Sequence, residues 1–182
     1  MEPGKSSPKC PTLPELVNEY YERLYRFAYR LSGSAADAED LTQQTFLTAQ
    51  TSLHQLREPE HAKAWMFTIL RNTYLKGRRR RKQAEIVSLE TTGEPSETID
   101  EAAQLRLEEL QAVLDELPEE YREPLVLFYF QEFSYKEIAE LLEVPLGTVM
   151  SRLARGKKHL RHRLAAEESD SLTTPSPHQS ES

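Results

Sequence analysis

The residues of this chain best placed to do chemistry are its cations. Seven Lys and Arg fall within residues 71–82 and six within residues 152–163, and neither stretch holds an Asp or Glu. Of the chain's 23 Lys and Arg, that leaves ten elsewhere, set against all 30 of its acidic residues. The formal net charge of -7 therefore hides two cationic islands in an anionic protein. Such dense charge suits a polyanion, because each Lys or Arg that meets a phosphate releases a condensed counterion.

The first island ends in LKGRRRRK, residues 75–82. A helix end does not account for it. One or two cations satisfy a C-terminal macrodipole at about 0.3–1 kcal/mol each, whereas like charges at i and i+4 repel by about 0.2–0.5 kcal/mol a pair. A nuclear-import run also fits the residues, but it requires a nucleated cell. Arg71, Asn72, Tyr74 and Lys76 lead into the run and are expected to lie off the inner stripe of their helix. Aromatic and amide groups beside cations can hold unstacked bases against a phosphate track.

The second island lies within SYKEIAELLEVPLGTVMSRLARGKKHLRHRL. This stretch has the anatomy of a helix-turn-helix: a short capped helix, a turn, and a second helix with a basic outer face. A helix entering the major groove needs polar side chains near its start for base edges and cations behind them for phosphates. Thr148, Ser151, Arg152 and Arg155 occupy the first two turns, and Lys157, Lys158, Arg161 and Arg163 follow. A merely solvated surface helix would explain Arg161 and Arg163 through the dipole, but not Arg152 or Arg155.

Other chemistries find no residues to carry them. The five histidines show no metal spacing, and Cys10 has no second cysteine to pair with. No metal or cofactor is expected. A small nuclease would need a carboxylate cluster with a His or Lys at acid–base or metal spacing. Asp37, Glu39 and Asp40 instead read as a helix N-terminus and partner surface, so no enzymatic activity is expected. A stand-alone helix-turn-helix regulator remains the alternative, though it leaves the first island without a task. No apolar run approaches the roughly 20 residues of a membrane helix, and the opening MEPGKSSPKCPT has no apolar stretch to act as a signal. A cytoplasmic location follows as the expectation.

The elements that position the islands are all helices. Val17, Tyr20, Tyr21, Leu24, Phe27, Ala28 and Leu31 recur at helical spacing until Gly33, a left-handed cap. Ser34 caps a second helix with Ala38, Leu41, Thr45, Ala49 and Leu53 inward. A third carries Ala62, Trp65, Met66, Ile69, Leu70 and Thr73 and runs into the first island. Residues 83–103 lose periodicity and hold six acidic residues and no basic one, which reads as a linker. Leu105, Leu107, Leu110, Val113 and Leu114 then mark a helix, with Pro118 at the first position of the next, an apolar helix over residues 121–130. Ser134 and Glu137 form a capping box, and the last helix begins near Gly147 with Val149, Leu153 and Leu160 inward. The expected architecture is all-α: a disordered tail over 1–12, a helical domain over 13–82, a flexible acidic linker over 83–103, a second helical domain over 104–165 that ends in the helix-turn-helix, and a tail over 166–182.

Three segments in order, LYRFAYRLSGSAADAEDLTQQTFLTA, HAKAWMFTILRNTYL and LPEEYREPLVLFYFQEFSYKEIAELLEVPLGTVMSRLARGKKHLR, resemble an extracytoplasmic-function sigma factor of the sigma-70 family. The resemblance covers residues 13–164. It implies an alternative sigma factor that binds core RNA polymerase, through the coiled coil of its largest subunit and the flap of its second-largest, and starts transcription at chosen promoters.

By that resemblance Asp37, Asp40, Gln43 and Phe46 grip the coiled coil. The loop at residues 56–60, beginning with Leu56, and the helix bearing Arg71, Asn72 and Tyr74 capture a flipped base and neighbouring nucleotides of the −10 strand, with Lys76, Arg78 and Arg79 behind them. Trp65 is a packing residue. Thr148, Ser151, Arg152 and Arg155 read the −35 duplex, with Lys158 on phosphate. An anti-sigma protein is an expected partner by analogy. Three positions depart from the family's habit: Gln44 where an acid is common, Glu143 where glycine often makes the turn, and Met150 where arginine is frequent.

Overall fold

The structure, a computed structural model, describes the backbone of residues 10–84 and 101–171 and the side chains of residues 10–81 and 108–163. Helix α1 is Leu13–Ser32 and α2 is Ala35–Ser52. Two 3-10 turns, Leu53–Gln55 and Pro59–His61, lead into α3, Ala62–Ala84. Beyond the linker come α4 (Glu101–Asp115), α5 (Glu119–Gln131), α6 (Tyr135–Leu142) and α7 (Leu146–Ser171). Residues 1–9 of the tail expected over 1–12, residues 85–100 of the linker and the tail beyond 171 lie outside the described residues.

Local chemistry sets most boundaries as the sequence predicts. Gly33 ends α1 at φ 70°, and the Ser34 hydroxyl accepts the Asp37 N–H at 3.3 Å to open α2. Ser134 and Glu137 exchange reciprocal bonds at the start of α6. Four boundaries differ. Pro118 is extended and precedes α5 as its cap instead of occupying the first turn. The linker expected to begin at 83 and end at 103 is shorter, because α3 continues to Ala84 and α4 starts at Glu101. The tail expected from 166 begins in helix through Ser171, where Ala and Glu residues still favour it.

Within the N-terminal half, α1, α2 and α3 bury Leu16, Leu24, Phe27, Ala38, Ala49, Met66 and Leu70 against one another. Thr42 and Thr45, fully buried in α2, donate their hydroxyls to the carbonyls of Ala38 and Leu41 at 2.7 and 2.6 Å, so no polar group is stranded. In the C-terminal half α5 and α6 pack on α7 through Leu125, Ile138, Leu142, Val149 and Leu153. Gly156 allows that close approach: a Cβ there would lie 2.6 Å from Leu125 Cδ1.

The halves also pack on each other. Phe67 of α3 meets Phe27 of α1 at 5.1 Å between centroids, the planes tilted by 50°, and meets Phe133, between α5 and α6, edge-on at 5.1 Å. One aromatic chain thus joins both cores, and Phe27, Phe67 and Phe133 are all fully buried. At the end of α5, Arg23 and Lys63 donate to the Gln131 carbonyl at 3.0 and 2.6 Å, placing two cations of the N-terminal half at that helix's negative pole.

Candidate nucleic-acid and partner interfaces

Helix α3 carries the first island, and its residues fall into two groups. Asn72, Lys76, Arg79 and Arg80 are exposed, and Arg79 and Arg80 make no ion pair among the described residues. Three arginines are engaged within the molecule. Arg71 donates from Nε to Glu123 Oε2 of α5 at 3.2 Å, Arg78 pairs with Glu119 of α5, and Arg81 reaches Asp37 of α2 at 2.7 Å. Glu123 is buried, and that burial pushes its carboxyl pKa up against the opposing pull of Arg71.

Two residues expected at the −10 contact sit in the core. Tyr74 is 6% exposed, and its hydroxyl donates to the Leu31 carbonyl at 3.0 Å. Of the expected inner stripe of α3, Ala62, Met66 and Leu70 are buried, whereas Trp65, Ile69 and Thr73 are only half-buried and Phe67 and Tyr74 take the inward places beside them. Leu56 is 5% exposed and anchors the loop between α2 and α3, while its carbonyl accepts the Cys10 thiol at 3.2 Å. Its neighbours Gln55, Arg57 and Glu58 are exposed.

On α2, Asp40 and Gln43 are exposed, while Asp37 is half-buried beside Arg81. Phe46 is half-buried and stacked on Tyr21 of α1, with centroids 6.3 Å apart and planes 13° from parallel. Sequence reasoning missed two members of this surface: Leu47, 57% exposed, and Tyr21, 49% exposed. The signal was available for Leu47, which completes an i, i+3, i+4, i+7 row with Asp40, Gln43 and Gln44. An exposed apolar group in such a row marks a protein-facing patch.

Helix α7 presents the second island with fewer internal ties. Val149, Leu153 and Gly156 face the core, and Ser151, Arg155, Lys157 and Lys158 stand exposed on the other side. Thr148 is half-buried, and its carbonyl accepts the Ser151 hydroxyl at 2.9 Å. Arg152 lies 3.9 Å from Glu120, and Arg163 pairs with Glu116. Glu143 takes the left-handed conformation at φ 56°, ψ 43°, so the turn keeps the shape that glycine would give it. Met150 is 53% exposed on the same helix.

A cleft of about 850 Å³ opens between the C-terminal part of α3 and the start of α5, lined by Arg78, Arg79, Arg81 and Arg122 with Asp115 and Glu119. No group of His, Cys, Asp and Glu able to hold a metal occurs among the described residues. None of the described helices is long and apolar enough to cross a membrane.

The sequence profile of sigma-70 region 2 matches residues 16–84, and that of sigma-70 region 4 matches residues 107–160. The ECF RNA polymerase sigma factor SigE of Mycolicibacterium smegmatis is 40% identical over 167 residues, which cover 88% of this chain and 64% of that protein. The ECF RNA polymerase sigma factor EcfG of Rhodopseudomonas palustris is 36% identical over 142 residues, covering 75% of this chain and 76% of that one. This chain is an ECF sigma factor. It belongs to the sigma-70 family, whose members direct transcription initiation. The solved structure of the sigma factor RpoE in complex with the anti-sigma factor NepR, from Bartonella quintana, has the same fold: TM-score 0.71 and 28% identity over 82% of this chain and 94% of that one. In this sigma factor the region 2 match spans α1 to α3, and the region 4 match ends within α7, beyond Arg155, Lys157 and Lys158.

Proposed function

We propose that this sigma factor docks on core RNA polymerase through the exposed row of α2, reads −35 duplex with α7, and holds the −10 single strand along α3. The single observation carrying this reading is that two separate helices, α3 and α7, each expose cations with no acidic partner among the described residues, on chain segments matched by sigma regions 2 and 4. Asp40, Gln43 and Phe46, with Leu47, face the largest subunit's coiled coil, and Asp37 joins them once freed from Arg81. Asn72, Lys76, Arg79 and Arg80 form the −10 track, together with Arg71 and Arg78 when released from α5. Tyr74 and Leu56 support it from below by packing. Ser151, Arg152, Arg155 and Thr148 read the −35 element and Lys158 holds phosphate.

The working units are residues 13–84 and 101–165, and the flap of the second-largest subunit meets the latter. The protein acts in the cytoplasm, catalyses no reaction itself and is restrained by an anti-sigma partner, as RpoE is bound by NepR. The net charge of -7 opposes free association with DNA and makes recognition depend on polymerase. Run-off transcription with core polymerase on fragmented genomic DNA from the host tests the reading. Discrete, sigma-dependent transcripts are expected. Tight sequence-specific binding by the isolated chain, with no transcript, would sink it in favour of a stand-alone regulator.

A further inference from the structure

Building on the −35 reading of α7, we propose that Met150 selects one base pair of that duplex by packing on the 5-methyl group of a pyrimidine, with Ala154 leaving it room. Val149, Leu153 and Gly156 hold the buried side of α7. At about 100° per residue, Gly147, Met150 and Ala154 fall in one row turned away from that side, and all three are exposed. Met150 is 53% exposed, and a Cβ added at Gly147 would meet no atom within 4 Å. Ser151, Arg155 and Lys158 form the adjacent row and are exposed as well. The outer face of α7 is thus split lengthwise, one row with no hydrogen-bonding side chain beside one composed of them.

A single exposed apolar side chain is ordinary on a protein surface. This one stands beside Ser151, on the face whose free cations, Arg155 and Lys158, draw the duplex in. An arginine at position 150 would bring a fork of N–H donors to a phosphate or a guanine edge. Methionine brings none. Opposite guanine, adenine or cytosine its thioether would strip water from ring acceptors or an amino group and return no hydrogen bond, which weakens binding. Thymine alone among the bases sets a methyl group in the major groove. Burying that group against the flexible thioether strengthens binding by about fourfold. Ala154, one turn further along the row, has no side chain beyond its own methyl to hold the base away.

The experiment uses holoenzyme, this chain with core polymerase, and duplexes of a promoter recovered by the run-off assay. Each thymine of the −35 element, on either strand, is replaced singly by uracil, which keeps the base pair and removes only the methyl group. Wild type is expected to lose about fourfold in affinity at one position, and Met150→Ala to bind the thymine and uracil duplexes there equally. Met150→Arg is expected to be equally blind to the methyl group, whereas Met150→Leu, apolar and of similar size, keeps the preference. A second set of duplexes carries cytosine or 5-methylcytosine at that position, paired with guanine. Wild type is expected to bind the methylated duplex about fourfold more tightly than the unmethylated one, and Met150→Ala to bind both alike.

A −35 element with no methyl-sensitive position, sensitivity that survives whole in Met150→Ala, or no gain from 5-methylcytosine would each overturn the proposal. Binding of the chain to core polymerase without DNA is measured on the same variants. Equal binding by wild type and Met150→Ala is expected, and a loss there would assign Met150 to a protein-facing surface and overturn the methyl contact. A protein that directs run-off yet shows no methyl dependence loses this inference alone. One that directs no run-off loses the −35 reading as well.

Discussion

The two cationic islands look alike in composition and differ in what surrounds them. On α3, Arg71, Arg78 and Arg81 each face an acid from another helix. On α7, the tied arginines, Arg152 and Arg163, stand at the margins, while Arg155, Lys157 and Lys158 point outward with no such partner among the described residues. The difference teaches that clustered charge alone does not define a binding surface. A guanidinium already facing a carboxylate offers little net gain on meeting a phosphate, because one pair is exchanged for another. The α7 face is thus ready in this conformation, and the α3 face is only partly so.

The comparison breaks most severely where both regions share a foundation. Phe67→Ala removes the ring that links the core of α1 to Phe133, and a cost of about 3–5 kcal/mol is expected, read by denaturant unfolding. Both islands should fail together in that variant. If α7 function survived intact while α3 function was lost, the two cores would not be coupled.

A smaller and local effect is expected on the ready face. Arg155→Ala should cost the holoenzyme about 1–3 kcal/mol at its preferred promoter and relax discrimination at one −35 position, measured by binding to a panel of single-base variants. A uniform loss over all variants would mark Arg155 as a phosphate contact instead.

Helix caps sharpen the comparison at about 1 kcal/mol, because Ser134 opens the helix that supports α7. Ser134→Ala is expected to lose about that much stability. The Ser134 hydroxyl and N–H hold the Glu137 carboxyl below its usual value of 4.5. A depressed folded-state value contributes stability that is present above the unfolded pKa and is lost as pH falls through the folded one. Wild type should therefore lose part of its advantage over Ser134→Ala below about pH 4.5, in paired thermal melts.

The smallest effect is in salt dependence. Arg79→Gln/Arg80→Gln should flatten the salt dependence of single-strand binding by about one to one and a half in log–log slope, since about 0.7 ions are released per contact on single strands. Arg81→Gln, whose guanidinium already faces Asp37, should change it less. Equal changes in both variants would erase the distinction between tied and free arginines.

Much of this organisation is legible in the sequence. Helical periodicity places α1, α2 and the helix-turn-helix, because an apolar stripe bounded by Gly33, Ser34 or Ser134 leaves the chain few alternatives. The charge islands are visible for the same reason, since they are local. Tyr74 is not legible as a core residue because α3 offers two adjacent apolar edges, and spacing cannot say which of Trp65–Ile69 or Phe67–Tyr74 points inward. The burial of Leu56 is not legible because it lies in a loop, where no period exists to report it. The closure of the two halves was not legible at all. Phe133 reads as part of a turn and Glu123 as one acid among many, and only contact across more than 50 residues of chain gives either a role.

Gly156 bears on promoter choice without facing DNA. It lies against Leu125 and Tyr121 of α5, and even a methyl group there would force Leu125 aside or lift α7 from its bed. Because a helix is stiff, such a lift would travel along it to Arg155 and Ser151 and change the angle at which they are offered. Under the proposed reading, recognition of the −35 element is therefore partly set by a space too small for one methyl group, 2.6 Å from Leu125 Cδ1, at the residue with the least to say.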